Sequence, residues 1–436
     1  MTESTIIAPA SAPGRGGISV IRISGPQSQF VAESLCGGLE EPWRFKRCKI
    51  TNKGGGVLDT GLVVFFKSPH SYTGEDVVEI HCHGNPRLVD LIVAEGVGCG
   101  ARIAEPGEFT KRAYLNNKID LAQAESVADL IEAQTEEAAL AAHSSLSGKF
   151  SSDINACIDS LIASRVFVEA SLDFPEEETG EGDLNGVKLE VKKQLSFIET
   201  SLSSAKKGVM VREGYSVVIV GPPNAGKSTL LNALAQKDLA ITSGLPGTTR
   251  DSIRVDLNLG GVVVELVDTA GLRKAPDNEI EEEGMKRARS ALEESNLVLC
   301  VFDVTKEEEI EPINNKDTIK VFNKCDLLDG VPKTDDGEVF VSAETGLGLD
   351  SLVELILVKL GLGEETTLLS RRRHVVCLQD CLADLSKAAS SLEGGEGLEL
   401  VAESLLSAQN SLGKITRPTS SDDLLGEIFS EFCIGK

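Results

Sequence analysis

At 436 residues the chain is too long for one hydrophobic core, and about two to four domains are expected. Its 43 Lys and Arg stand against 68 Asp and Glu, a net charge of −25 that excludes unaided, nonspecific binding to nucleic acid and leaves RNA to a local basic patch or a basic partner. No stretch approaches the ~20 apolar residues of a membrane span, the opening MTESTIIAPASAPGRGG lacks the layout of an export signal, and ten scattered cysteines suit a reduced, cytoplasmic protein rather than a disulfide framework.

Residues 1–117 alternate β-type runs (ISVIRISG, GLVVFFKS, VVEIHCHG) with Gly- and Pro-rich joints, which predicts an α/β domain. Over 118–210 the spacing turns helical: Leu121, Ala124, Val127 and Ile131, then Val187, Val191, Leu195, Ile198 and Leu202, with DFPEEETGEGD between them read as a loop. Over 211–365 the apolar runs YSVVIV, VVVELVD, LVLCVFD, TIKVFNK and EVFVSA are separated by helical lengths, the pattern of a mostly parallel sheet covered on both faces. Helical spacing returns in 366–436 at Leu378, Cys381, Leu385, Ala388 and Leu392. The economical reading is α/β plus all-α, with the sheet domain inserted into the sequence of a helical one.

The strand YSVVIV runs straight into GPPNAGKST, satisfying G-x-x-x-x-G-K-[ST] in the strand–loop–helix setting that this phosphate loop requires. Gly221 and Gly226 let the backbone of Asn224-Ala225-Gly226 wrap an anion, Lys227 reaches the β- and γ-phosphates, and the hydroxyl of Ser228, next to Thr229, binds Mg²⁺. Asp268-Thr269-Ala270-Gly271 ends a strand, with the Asp placed to hold a magnesium-linked water and Gly271 to sense the γ-phosphate. Asn323-Lys324-Cys325-Asp326 fits N-K-x-D, whose Asp accepts two hydrogen bonds from guanine that adenine does not offer. Ser342-Ala343 closes the base pocket. The ordered set predicts GTP rather than ATP. In the segment Ser243-Gly244-Leu245-Pro246-Gly247-Thr248-Thr249, Thr249 is expected to supply a second hydroxyl to Mg²⁺.

Ras-like GTPases place a Gln directly after the Gly of D-x-x-G. Here Leu272 stands there and cannot orient water, which leaves the acids Glu279, Glu281, Glu282 and Glu283 as candidates, none favoured by local sequence. Three neighbouring potential ligands, His81, Cys82 and His83, point to alternate faces of a strand and do not predict a metal site.

The nucleotide motifs together with PGEFT-R-A-x-LN-x-K-x-DL-x-QAE and the terminal DDLLGEIF-x-x-FCIGK strongly resemble the tRNA-modification GTPase family MnmE (TrmE), across essentially the whole chain. The resemblance implies an N-terminal tetrahydrofolate-binding-like domain that dimerises, a helical domain, and an inserted Ras-like P-loop G domain. It implies a homodimer stimulated by K⁺, with Asn224, Ser243, Leu245 and Thr248 as K⁺ ligands and Glu281 as the residue orienting water. It also implies Arg22, Glu79, Lys118 and the terminal Lys436 at a folate site. An Arg and a Lys suit the carboxylates of a 5-formyl- or 5,10-methylene-tetrahydrofolate, and a Glu suits its pterin. Cys433 becomes a candidate in the one-carbon step, while a free thiol with no role stays open. The implied activity is modification of the tRNA wobble uridine to a 5-aminomethyl or 5-carboxymethylaminomethyl form, with an FAD-dependent MnmG (GidA) partner. The rival expectation is an Era-like regulatory GTPase in ribosome assembly. A membrane anchor on Cys433 fits poorly, because Gly435 and Lys436 do not complete a prenylation box.

Overall fold

The computed structural model describes residues 4–173, 181–239, 254–268, 292–306, 317–328, 330, 337–361, 370–394, 397–417, 422–430 and 432–435. Two compact units divide the chain: 1–128, 146–166 and 405–436 form the first, and 129–145 with 167–404 form the second.

The first unit is built on a six-stranded sheet of order β3-β4-β5-β2-β1-β6. Its strands are β1 (Ile6–Pro9), β2 (Gly16–Ser24), β3 (Lys46–Thr51), β4 (Val57–Phe66), β5 (Val77–Gly84) and β6 (Arg102–Ile103). The three sequence-predicted runs are β2, β4 and β5; the short β1 and the basic β3 carried too few apolar residues to stand out. All neighbours are antiparallel except β1 and β6. Period-2 alternation sends Ile21, Ile23, Ile50, Val63, Val78 and Ile80 to one face, which packs with Val31, Leu35 and Ile92 of the helices Ser28–Cys36 and Pro86–Gly98. Cys82 belongs to that core while His81 and His83 flank it on the strand, as the alternation requires.

The second unit holds another six-stranded sheet, β12-β11-β10-β7-β9-β8. These are β7 (Tyr215–Val220), β8 (Arg254–Leu259), β9 (Val262–Asp268), β10 (Leu297–Asp303), β11 (Thr318–Asn323) and β12 (Glu338–Phe340). Five are parallel, as the apolar runs predict. The sixth, β8, is an antiparallel edge joined to β9 through Gly260-Gly261. Its alternating Asp256 and Asn258 hid it from a search for buried runs, although the Gly-Gly pair is a hairpin signal. One face packs on Leu230, Leu231 and Leu234 of the helix Lys227–Leu234 and on Leu349, Leu352 and Ile356 of the helix Leu349–Lys359. The other face buries Val218, Val220, Val267, Val298 and Cys300.

The long helix Glu181–Glu213 packs along Arg372–Gly394. Val187, Val191, Ile198 and Leu202 face inward on the first, and Leu378, Cys381, Leu385, Ala388 and Leu392 on the second. Two expectations need correcting. Both ends of the segment read as a loop are helical, since Asp173 belongs to the helix Lys149–Asp173 and Glu181 begins the helix Glu181–Glu213. In the helix Leu121–Glu132, Ile131 is exposed; the carboxylate of Asp129 turns inward instead, where two arginines receive it.

Candidate functional site

The site of the second unit lies where the parallel strands end. In an open α/β sheet the loops at the carboxyl ends of neighbouring parallel strands converge on one crevice. Here those loops follow β7, β10, β11 and β12.

After β7 the backbone turns through Gly221 (φ 152°), Asn224 (φ 68°) and Gly226 (φ 89°) into the helix beginning at Lys227. A Cβ on Gly221 would lie 2.2 Å from the carbonyl oxygen of Val301, and one on Gly226 2.2 Å from Nδ2 of Asn323. Both positions therefore demand glycine by close approach as well as by torsion. The helix start leaves its first N–H groups without intrahelical acceptors and directs them at the loop, a ready anion cradle. Lys227 lies over that loop, its Nζ donating to the carbonyls of Gly221 (2.9 Å) and Pro222 (3.0 Å). Ser228 occupies the first turn and Thr229 is exposed beside it.

Asn323, at the end of β11 and 2% exposed, links two loops. Its Nδ2 donates to Ala225 O in the phosphate loop (2.9 Å), and its Oδ1 accepts from Ala343 N after β12 (3.0 Å). Lys324 adopts φ 67°, which reverses the chain into the short turn Cys325–Leu327, with Cys325 buried and Asp326 exposed. Cys325 N donates to Val341 O, and Ser342 N to Leu347 O, holding the two base-side loops together.

Sequence reasoning missed Asp303, the last residue of β10. Its buried carboxylate accepts from Lys324 Nζ at 2.6 Å and from Thr305 N and Oγ1 at 3.1 and 2.7 Å. The Lys324 ammonium, then the Thr305 hydroxyl, hold its pKa down at about 2. The signal was present: a single Asp closing the apolar run LVLCVFD.

Hydrogen bonds thus join the loop that carries Asn224, Ala225, Gly226, Lys227, Ser228 and Thr229 to the loop that carries Asn323, Lys324 and Asp326 and to the one that carries Ser342 and Ala343. Asp268 ends β9 beside β7. Thr269, Ala270, Gly271, Glu281 and the whole segment from Ser243 through Gly244, Leu245, Pro246, Gly247 and Thr248 to Thr249 lie outside the described residues.

A second constellation belongs to the first unit. Arg22 and Glu79 are register partners on β2 and β5, joined from Arg22 Nε (2.9 Å) and Nη2 (2.8 Å) to Glu79 Oε1. The guanidinium lies 5.1 Å from the ring centroid of Tyr72 and 5.7 Å from that of Phe109. His81 Nε2 is buried with no hydrogen-bond partner, 3.5 Å from Glu79 Oε2. Lys118 Nζ donates to Pro69 O, in the loop that also carries Tyr72. Behind the rings, Arg112 (1% exposed) binds Glu108 and Glu75 at 2.9 Å each, giving the Glu and Arg of PGEFT-R a structural task. The chain's end lies nearby: Gly107 N donates to Cys433 O, Ile434 pairs with Pro106, and Gly435 passes so close to Pro9 O that no Cβ fits. Cys433 is exposed; Lys436 lies outside the described residues. Among the described residues no three His, Cys, Asp or Glu side chains form a metal cluster, and no helix is long and apolar enough to cross a membrane.

Residues 5–118 match the family described as GTP-binding protein TrmE N-terminus, and residues 121–433 match the MnmE helical domain. A tRNA modification GTPase MnmE of Francisella tularensis subsp. holarctica (strain OSU18) is 45% identical over 451 residues, covering 100% of both chains. Its counterpart in Francisella philomiragia subsp. philomiragia is 44% identical with the same coverage. Among solved structures, the G domain of the T. maritima FeoB iron transporter is 23% identical, covering 33% of this chain and 98% of that one with a TM-score of 0.24. The cytosolic domain of the same transporter in a GDP form is 20% identical over 46% and 97% of the two chains, TM-score 0.27.

Proposed function

The chain belongs to the MnmE (TrmE) family of tRNA-modification GTPases, and from that premise we propose a K⁺-dependent GTP hydrolase that forms 5-aminomethyl or 5-carboxymethylaminomethyl uridine at the tRNA wobble position. It acts as a homodimer in the cytoplasm with an FAD-dependent protein of the MnmG (GidA) family. A tetrahydrofolate derivative supplies the one-carbon unit. The division of labour follows the chain: 1–117 for folate and dimerisation, 211–365 for GTP, and 118–210 with 366–436 as the helical domain that carries the G domain.

One observation carries the nucleotide half of this reading. Asn323 bonds the phosphate loop at Ala225 and the base loop at Ala343 at once, so phosphate and base recognition are set at a fixed spacing. Within that frame Lys227 leaves its loop carbonyls for the β- and γ-phosphates, and Asp326 accepts from the guanine edge. The cradle at Gly221 and Gly226 and the hydroxyl of Ser228 fit a nucleotide with Mg²⁺; Thr249 is assigned as the second hydroxyl. Magnesium neutralises phosphate charge when bound. Asn224, Ser243, Leu245 and Thr248 are assigned to K⁺, and Glu281 to orienting the attacking water.

The first unit fits a folate by chemistry. Arg22 and Glu79 offer a cation and a carboxylate on adjoining strands, Tyr72 and Phe109 offer ring faces, and His81 Nε2 is a buried polar atom without a hydrogen-bond partner. Bound tetrahydrofolate supplies carbon at the methylene level; Lys118 and Lys436 are assigned to its carboxylates, and Cys433 lies on the strand-like tail beside Gly107.

The deciding experiment is nucleoside analysis of tRNA from cells lacking this gene. The aminomethyl-type wobble uridines are expected to disappear; their persistence would show that the chain works elsewhere, as an Era-like regulator would. GTP hydrolysis by the purified protein is expected to fall sharply when K⁺ is replaced by Na⁺, and equal rates in both salts would remove the cation from the mechanism.

A further inference from the structure

The acidic chain carries one conspicuous exception. Residues 43–53, WRFKRCKITNK, hold five cations and no carboxylate. Three of the five have partners in the fold: Lys46 donates to Gly38 O and Lys53 to Gly98 O, each capping a helix C-terminus, and Arg44 lies 3.9 Å from Glu41. Arg47 and Lys49 are exposed and pair with no carboxylate among the described residues.

Strand periodicity places these two beside aromatics. Cys48 and Ile50 point into the helix-covered core, so Arg47 and Lys49 stand on the opposite face, exposed at the β3 edge of the sheet. Phe45, 57% exposed, extends the same alternation and sets its ring edge-on against His81 at 5.4 Å. Trp43, 61% exposed, is held in the left-handed region (φ 69°), with its N–H bonded to Phe65 O and its ring against Phe66 at 4.8 Å. Non-glycine residues adopt that torsion rarely, and such outliers gather at functional sites. Glu79, on the same face, is already matched by Arg22.

We propose that this sheet face, along Trp43, Phe45, Arg47 and Lys49, docks the unpaired anticodon loop of the substrate RNA. Exposed rings on an open sheet stack unpaired bases, and neighbouring cations track the phosphates. The proposal rests on the reading of the protein as a tRNA-modifying enzyme. It also explains how a chain of net charge −25 meets a polyanion: through one local patch.

Trp43 is the single tryptophan of the chain and serves as the probe. The full-length protein is titrated with three RNAs: an anticodon stem–loop hairpin, a fully paired duplex, and an acceptor stem with its single-stranded 3′ end. The hairpin is expected to quench Trp43 fluorescence at concentrations where the other two do not. Phe45→Ala should weaken hairpin binding about tenfold, the effect of one lost stack. The double variant Arg47→Gln/Lys49→Gln should lower the salt-dependence slope by about 1.4, for two single-strand phosphates. GTP hydrolysis is measured on each variant and is expected to be unchanged, so a wild type without GTPase activity would count against the functional reading and not against this surface. Unchanged hairpin affinity in the variants overturns the proposal. Preference for the 3′ end overturns the choice of loop. A shift in sedimentation with RNA affinity intact gives the face to a second copy of the chain, and loss of MnmG-family partner binding alone gives it to that protein.

Discussion

Asp326 projects into solvent from the turn after β11, free to meet a base edge, while its neighbour Lys324 is tied down by Asp303. Replacing Asp326 by Asn exchanges an acceptor for a donor at one position. Affinity for GTP should drop and xanthosine triphosphate should be preferred, because xanthine presents an acceptor where guanine presents its amine. Competition binding with both nucleotides decides this, and unchanged preference would remove Asp326 from base reading. Asp303 makes a different prediction. Its carboxyl, about 2 in the fold against 3.8 when free, favours the folded state wherever the unfolded chain has already ionised. That contribution is full above about pH 5 and fades as pH falls through the interval between the two values. Asp303→Asn should therefore cost about 1–2 kcal/mol at neutral pH, a modest figure because Lys324 is partly solvated, and the gap between variant and parent should close toward about pH 2. Parallel denaturant titrations at neutral and acid pH test it; a gap independent of pH would mean that the ion pair contributes nothing.

Legibility in the sequence followed the physical range of each interaction. The phosphate loop was readable because torsion and close approach fix Gly221 and Gly226 within a few residues of one another, whatever the rest of the chain does. The five parallel strands were readable because burial on both faces leaves an unbroken apolar run. The edge strand β8 was not, since only one of its faces is buried, and the Arg112 network was not, since its partners Glu75 and Glu108 come from separate segments. Asn323 shows both sides: its identity was legible as the first letter of N-K-x-D, but its task of linking two loops was visible only in three dimensions. Asn323→Ala leaves Ala225 O and Ala343 N buried without their partner, so stability should fall by about 2–5 kcal/mol. GTP and GDP should weaken together, because both loops lose their common anchor. Loss of affinity for one nucleotide alone would contradict the linking role.

The chain enters the second sheet once and leaves it once, and both crossings end on one carboxylate. Helix Glu181–Glu213 delivers Arg212 just before β7, and Arg371 stands just before helix Arg372–Gly394. Asp129 Oδ1 accepts from Arg212 Nε at 2.8 Å and from Arg371 Nη2 at 3.0 Å, with Asp129 and Arg371 both buried. Arg372 and Glu213 form a second tie between the same two crossings at 2.8 Å, but largely in water, where such pairs add little. The buried clasp is the one whose loss matters, because removing Asp129 takes from two guanidinium groups the carboxylate they share. Asp129→Ala should cost about 3–5 kcal/mol, on the order of 10 °C in Tm for a unit of this size. Glu213→Ala should leave Tm nearly unchanged. The contrast between the two variants is the informative quantity: equal, small shifts would mean that the insertion is held by apolar packing of its neighbouring helices alone, and a large shift for Asp129→Ala only would place its anchorage on this carboxylate.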